Sequence, residues 1–347
     1  MGRNEINKKF LKDLYEGNGP RLGLIYEPMT GAKGGELGDF TLSEKPIQEW
    51  VPWYIKDFEI RARLSEQMGD DGVPFVNLNT NTGLFAAAFG CELHQYDGSN
   101  AAARPCVNSA FEADNLSMPS IDYPTLARTL ELGLLLQKEL GKEVSISVPD
   151  IQSPFGTAAI IWNKEDFLVS LLEEPDSVKE LVEKCNNLLK SYLKEFINLF
   201  PYGNMCHCPY MWVPPEYGCH LSEDEIGIIS PPMFEEFCLP TLVDLSETFG
   251  GLWMHCCADA DQHYEAFKRI PNLRGLNRKF FRGAKACIEQ FSDTALFSMG
   301  WTPEEVMNEM LDCSLPNSRF LFNLSGFSSP EEARPLFDRL RSRIMRK

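Results

Sequence analysis

The sequence has no long apolar run and a shortage of positive charge, and each absence excludes a class of partner. None of its apolar stretches approaches the roughly 20 residues that a membrane-spanning helix needs. Lysine and arginine together number 33 against 50 aspartate and glutamate residues, so the net charge is −17. Nucleic acids and anionic membranes bind basic surfaces. We therefore expect neither as a partner.

Cysteine is too sparse to build a disulfide scaffold, with 11 in 347 residues. Residues 1–18 are charged and lack the apolar centre of a signal peptide. Both features predict a cytoplasmic protein with reduced thiols. Apolar residues make up 44% and charged residues 24% of the chain, which is ordinary for a globular protein.

A dinucleotide-binding glycine fingerprint is absent, which bears on the choice between α/β folds. The sequence pattern predicts strands that alternate with helices. One clear helix covers residues 124–140, with proline at its start and Gly141 at its end. We predict eight strands, over residues 22–26, 72–78, 144–148, 205–212, 252–257, 273–277, 294–299 and 319–324. This alternation without the fingerprint favours a (β/α)8 TIM barrel over a doubly wound sheet.

No linker or internal repeat divides the chain, so we expect one barrel domain over residues 1–347. Residues 1–70 are expected to form an N-terminal extension or lid, with helices packed on the barrel. Residues 31–38 contain four glycines. They lack the preceding strand and following helix of a phosphate-binding loop, so we predict a mobile or lid segment.

Residues 252–259 place one imidazole and two thiols at the end of a predicted strand. Side chains alternate along a strand, so His255 and Cys257 project to one side and Cys256 to the other. A histidine and a cysteine side by side offer two ligands to a soft metal, for which zinc is the usual occupant. The alternative is structural, because buried cysteines act as small hydrophobes and a core histidine can be satisfied by hydrogen bonds.

Further polar residues follow other predicted strands, where the active sites of such barrels lie. They are Asp150 and Gln152 after one strand, Cys206, His207 and Cys208 on another, Cys219, His220, Glu223, Asp224 and Glu225 in the next loop, and Asn323 and Ser325 on the last. We expect these groups to converge on one mouth. Asp150, Asp224 and Glu225 are the predicted catalytic residues, and Glu223 is a predicted metal ligand beside His255 and Cys257.

At these motifs the chain resembles the uroporphyrinogen decarboxylase superfamily. The resemblance rests on the serine-proline helix start and aromatic helix in residues 229–237, the Leu239-Pro240 pair, and the strand end in residues 253–258. Residues 69–74 and 86–92 are also similar to its N-terminal half. Members typically end that strand in H-x-C-G, where this chain has Ala258 in place of the glycine. The resemblance implies an α/β barrel.

Two branches of the superfamily are relevant. Decarboxylases use an arginine-rich N-terminal segment to act on a tetrapyrrole. In this chain the only arginine between Pro20 and Phe40 is Arg21. Cobamide-dependent methyltransferases hold zinc on H-x-C and a distant cysteine, and the zinc activates a substrate thiol toward methylcobalamin. His255 and Cys257 match the first two ligands, but residues 322–326 contain no cysteine and Cys313 lies too early.

Several residues could replace the missing third ligand. They are Cys256, which should point away, Cys206 or Cys208 from a neighbouring strand, an oxygen of Glu223, Asp224 or Glu225, and a nitrogen of His220. The resemblance therefore implies a zinc-assisted methyltransferase that moves a methyl group from a methylated corrinoid, free or bound to a corrinoid protein, to a thiol-type acceptor. The alternatives are a decarboxylase-like lyase acting on another carboxylate, with Asp150 or Asp224 transferring the proton, and a non-catalytic tetrapyrrole- or cobamide-binding protein.

Overall fold

The computed structural model describes residues 2–28, 37–78, 80–95, 100–280, 282–297 and 302–344. Its strands are β1 Leu22–Tyr26, β2 Glu92–Gln95, β3 Ala101–Arg104, β4 Cys219–Ser222, β5 Leu252–Cys256, β6 Leu273–Arg278, β7 Ala295–Phe297 and β8 Arg319–Leu324. Its α-helices are α1 Arg3–Glu16, α2 Val51–Met68, α3 Leu84–Ala88, α4 Ala110–Asp114, α5 Pro124–Leu140, α6 Pro154–Ile161, α7 Lys164–Glu173, α8 Pro175–Leu199, α9 Pro231–Met233, α10 Leu239–Phe249, α11 Tyr264–Phe267, α12 Lys285–Gln290, α13 Glu304–Asp312 and α14 Pro330–Ile344.

The main sheet closes into a barrel. Six parallel strands follow the order β1-β8-β7-β6-β5-β4. Two further segments complete the ring through parallel bridges that join Val76 to Ile146 and Gln152 to Ser222. The Asp71 amide donates to the carbonyl of Leu24 in β1, and this hydrogen bond closes the ring. The predicted (β/α)8 architecture is confirmed.

The structure differs from the sequence prediction between residues 204 and 213. The predicted strand over residues 205–212 is wrong, because this segment folds back around the side chain of Asn204. Its Oδ1 accepts from the amides of Cys206 and Val213, at 3.1 and 2.7 Å, and its Nδ2 donates to the Met211 carbonyl at 2.9 Å. Pro209 interrupts the run as well, since proline cannot donate to a strand ladder. The strand β4 therefore occupies the ring position between Gln152 and β5.

Helices cover the barrel through apolar faces of helical period. The long helix α8 buries Val178, Leu181, Val182, Cys185, Asn186, Leu188, Leu189, Tyr192, Leu193 and Phe196. The buried apolar side chains form one continuous core. None of the helices in the described ranges is long and apolar enough to cross a membrane.

The N-terminal helix is fastened beside the barrel. Arg3 forms an ion pair with the buried carboxylate of Asp70 at 2.8 Å, and the Asn7 side chain donates to the Asp70 carbonyl at 3.1 Å. The glycine-rich segment predicted over residues 31–38 falls mostly on residues 31–36, which lie outside the described ranges. The single-domain organisation and the lid role of residues 1–70 stay predictions.

Candidate metal centre

Three potential ligand atoms converge at the carboxyl ends of β4 and β5. One atom each from Asp224, His255 and Cys257 lies within 4.8 Å of the other two. His255 Nε2 is 2.9 Å from Cys257 Sγ and 4.0 Å from Asp224 Oδ1. The register explains the meeting, because Ser222 pairs with His255 and the residues two positions further along are Asp224 and Cys257. The Cys257 amide also donates to Asp224 Oδ1, which fixes the carboxylate at the mouth.

A neighbouring strand orients the imidazole. His255 pairs with Asn277 of β6, and His255 Nδ1 lies 2.5 Å from Asn277 Oδ1. A carbonyl oxygen only accepts, so Nδ1 carries the proton and Nε2 presents its lone pair toward Cys257 and Asp224. Metal-binding histidines are commonly held this way by an outer hydrogen bond. An oxygen, a nitrogen and a sulfur donor in this arrangement fit zinc.

Burial raises the pKa values of the two acidic groups among these potential ligands. Burial and the carboxylate of Asp224 raise the pKa of Cys257 to about 11, against an opposing effect of Lys279. Burial also raises the pKa of Asp224, although the nearby His255 opposes the shift. A divalent cation would reverse both effects, because it favours the charged forms and displaces their protons.

Glu223 lies outside this group. Its side chain is fully buried, and its Oε1 accepts from the Ser153 hydroxyl at 2.7 Å. Its Oε2 has no hydrogen-bond partner among the described residues. Burial raises the pKa of Glu223 to about 8. The sequence could not show that Asp224 rather than Glu223 lies beside His255 and Cys257, since their order along the chain does not say which side chain faces the mouth.

Glu225 and Asp150 occupy different surroundings. Glu225 forms an ion pair with Lys164 at 2.6 Å on the rim. Asp150 Oδ1 lies 3.3 Å from His207 Nε2 and accepts from Gln152 Nε2 at 2.9 Å. The predicted catalytic residues thus divide among the metal group, a rim ion pair and a carboxylate–histidine pair.

A pair of histidines extends the polar site into the barrel. The Nδ1 atoms of His207 and His220 are 3.3 Å apart, and His207 Nε2 is 3.2 Å from the Ser222 hydroxyl. Burial lowers the pKa of His220 well below its ordinary value, and His207 and His255 add to the shift. His220 therefore stays neutral, and it contacts His207 rather than the metal group.

Three other cysteines named as possible third ligands, Cys206, Cys208 and Cys256, lie apart from the Asp224, His255 and Cys257 group. Cys208 Sγ lies 3.8 Å from His255 Nδ1, on the side away from Nε2, and burial raises its pKa. Cys206 is buried, and its thiol donates to the Pro209 carbonyl at 3.3 Å. Cys256 points away, as the alternation of strand side chains predicts, and its thiol contacts the Ala258 carbonyl at 3.7 Å. None of these three belongs to the group of converging ligands.

The sequence analysis missed Asn277 and Ser153, which position His255 and Glu223. The signal for Asn277 was a buried polar residue near the end of β6, two positions after Gly275 and four after Leu273. Ser153 preceded a proline at a helix start, which marks it as the N-cap of α6, where it accepts from the Gly156 amide at 2.8 Å.

Comparisons with known proteins agree with the barrel fold. The family model described as uroporphyrinogen decarboxylase (URO-D) matches residues 75–199. A solved structure, a methyltransferase from Methanosarcina mazei, is similar with a TM-score of 0.65 and 13% identity, and the similarity covers 98% of each chain. No curated protein sequence matches the chain. The family model therefore supports the resemblance to the uroporphyrinogen decarboxylase superfamily over residues 75–199, and the solved structure shows the same barrel fold.

Proposed function

We propose that this protein is a zinc-assisted methyltransferase that moves a methyl group from a methylated corrinoid to a small thiol. The convergence of Asp224, His255 and Cys257 at the barrel mouth carries the proposal. The likeness in fold to the methyltransferase from Methanosarcina mazei supports the reaction class. We assign the carboxylate of Asp224 as the third zinc ligand, in place of the distant cysteine that the sequence lacks.

His255 Nε2, Cys257 Sγ and a carboxylate oxygen of Asp224 would hold the zinc, with Asn277 fixing the imidazole. Zinc bound there supplies a Lewis acid that lowers the pKa of an acceptor thiol. The charges of the Cys257 thiolate and the Asp224 carboxylate together balance the two charges of the cation. Oxygen donates less charge to a metal than sulfur does, so this ligand set favours deprotonation of the acceptor thiol.

The proton released from the acceptor thiol needs a receiving group near the mouth. The pair formed by Asp150 and His207 provides one, because the carboxylate stabilises the imidazolium that results when His207 accepts a proton. We assign Glu225 no proton-transfer step, since Lys164 holds it on the rim. A small thiol as acceptor and a free or protein-bound corrinoid as donor are the proposed partners, in the cytoplasm.

The test is the zinc-dependent loss of methylcobalamin absorbance under anaerobic conditions with a panel of thiols. Cys257→Ala should lose zinc and turnover together, because a methyl group cannot replace a thiolate ligand. Cys313→Ala is the matched control, since Cys313 lies outside the metal group, and it should retain both. Folded wild-type protein that binds no zinc, or demethylates equally with and without it, would contradict the proposal.

The contact between Asp150 and His207 also favours a second candidate, a decarboxylase-like enzyme acting on a small carboxylic acid. A carboxylate and an imidazole 3.3 Å apart form an acid–base pair that could protonate a carbanion. Release of carbon dioxide that survives Cys257→Ala and is lost in Asp150→Asn would favour this activity over methyl transfer.

A further inference from the structure

Two cysteines outside the barrel mouth lie in contact. Cys91 Sγ and Cys106 Sγ are 3.4 Å apart. They flank the antiparallel ribbon of β2 and β3, in which Glu92 pairs with Arg104. The two thiols thus face each other at the base of this ribbon, and neither contributes to the methyl-transfer site proposed above.

The backbone on both sides holds the thiols in place. The Cys91 amide donates to the Ala86 carbonyl at 3.3 Å, and the Cys106 amide donates to the Ile161 carbonyl at 2.9 Å. Next to the Cys106–Ile161 hydrogen bond, Val107 forms a parallel bridge with Trp162. A disulfide would require the sulfurs to approach by about 1.4 Å, from contact to bond length. Rotation of the two side chains can supply a movement of this size.

The two thiols differ in the way that a reactive dithiol requires. Cys106 is exposed, whereas Cys91 is buried. The Cys91 thiol donates to Cys106 Sγ, and this hydrogen bond lowers the pKa of Cys106 to about 7. The same contact and burial raise the pKa of Cys91. Cys106 is therefore the attacking thiolate, and Cys91 is the resolving thiol behind it.

The ribbon also connects to the barrel mouth. Gly83 lies so close to the ribbon that a Cβ there would fall 2.7 Å from the side chains of Ala103 and Leu93. The Gly83 amide donates to Asn81 Oδ1, and the neighbouring Thr80 hydroxyl accepts from the Asp150 amide at 2.9 Å. A crosslink at the base of the ribbon would thus constrain a segment that contacts Asp150.

We propose that Cys91 and Cys106 form a redox-active dithiol, a modification site for low-molecular-weight disulfides. The Cys106 thiolate attacks one sulfur of the disulfide, forms a mixed disulfide and releases one small thiolate. The Cys91 thiol then attacks Cys106 Sγ, loses its proton to solvent and releases the second small thiolate. One small disulfide is reduced to two thiols, and the protein loses two hydrogens as the Cys91–Cys106 bond forms.

The test exposes reduced, full-length protein to oxidised glutathione without oxygen and identifies the products by intact mass and peptide mapping. We expect a Cys91–Cys106 crosslink to form before any other, with reversal by excess reduced glutathione. Cys91→Ser should stop at a mixed disulfide on Cys106, whereas Cys106→Ser should block the reaction at this site. Cys313→Ser, a half-buried cysteine elsewhere, should leave the crosslink unchanged.

A second measurement does not depend on the variants folding well. The rate at which iodoacetamide alkylates Cys106 in the wild type should rise with pH through a midpoint below the ordinary thiol pKa, because the hydrogen bond from Cys91 lowers the pKa of Cys106. In Cys91→Ala the midpoint should move upward, because alanine cannot donate the hydrogen bond that lowers the pKa of Cys106. Persistent glutathionylation of Cys106 in the wild type without a crosslink would overturn the proposal. Oxidation of other cysteines while this pair stays reduced would overturn it too.

Discussion

Two of the proposed ligands are held by hydrogen bonds that do not involve a metal. Asn277 fixes the proton of His255 on Nδ1, and the Cys257 amide fixes Asp224. The donor set is therefore arranged before any metal binds, because the imidazole lone pair and the carboxylate already point to the same place. Preorganisation of this kind usually contributes to affinity through the outer hydrogen bonds as well as the ligands.

Replacing Asn277 should weaken zinc binding without removing a ligand. We expect Asn277→Ala to reduce the affinity by about 10- to 100-fold, since the imidazole loses its orienting acceptor. Competition with a chromophoric chelator measures the change. Asn187→Ala, on an exposed position of α8, is the control and should bind zinc as the wild type does. Equal affinity in all three proteins would show that Asn277 does not position His255.

Glu223 should make the stability of the protein depend on pH. Burial raises its pKa to about 8, so the folded state keeps a proton that the unfolded state releases near its ordinary value of about 4.5. The folded state thus binds more protons between these values, and the free energy of unfolding should fall as the pH rises from 5 to 8.

The comparison for this prediction is Glu223→Gln, which keeps the shape but cannot ionise. Its urea-unfolding free energy should fall less than that of the wild type between pH 5 and pH 8, by a few kcal/mol. Glu225→Gln, at the half-exposed rim, should follow the wild type. A wild-type slope that persists unchanged in Glu223→Gln would assign the pH dependence to other groups.

At the scale of elements, tight helix packing supports the barrel. Gly133 of α5 faces Phe200 at the end of α8, and a Cβ there would lie 2.6 Å from the aromatic ring. Gly133→Ala should therefore destabilise the fold by about 1–3 kcal/mol through overpacking, although alanine is the better helix former. Denaturant unfolding measures this, with Leu134→Ala at an exposed position of the same helix as the control. Stabilisation in Gly133→Ala would mean that the helices can separate to admit the methyl group.

The elements that the sequence predicted well are those with a strong local signal. The helix over residues 124–140 has proline at its start, and the strand carrying His255 has an apolar run after two glycines. Alternation along that strand predicted the divergence of Cys256 from His255 and Cys257. The strand predicted over residues 205–212 was wrong, because the buried side-chain amide of Asn204 organises a loop whose composition resembles that of a strand. Finding that Asp224 rather than Glu223 lies beside His255 and Cys257 required the register between β4 and β5, which is a tertiary property.

At the scale of the whole molecule, the proposed zinc site ties together the ends of two barrel strands. Its ligands come from the segment after β4 and from the end of β5, so the fully assembled site exists only in the folded barrel. A ligand that binds only the folded state stabilises it by mass action, by about 2.7 kcal/mol at one hundred times its dissociation constant. Zinc should therefore act on global stability as well as on chemistry.

Removal of zinc should lower the melting temperature of the wild type, by about 4 °C if zinc was present at one hundred times its dissociation constant. The effect should be larger at pH 8 than at pH 6, because binding displaces the proton of Cys257, whose pKa is raised to about 11, and protons compete less at higher pH. Scanning calorimetry with and without a chelator measures both effects. Cys257→Ala should melt at the same temperature in the two conditions. An equal chelator effect in Cys257→Ala and the wild type would place the stabilising metal elsewhere in the protein.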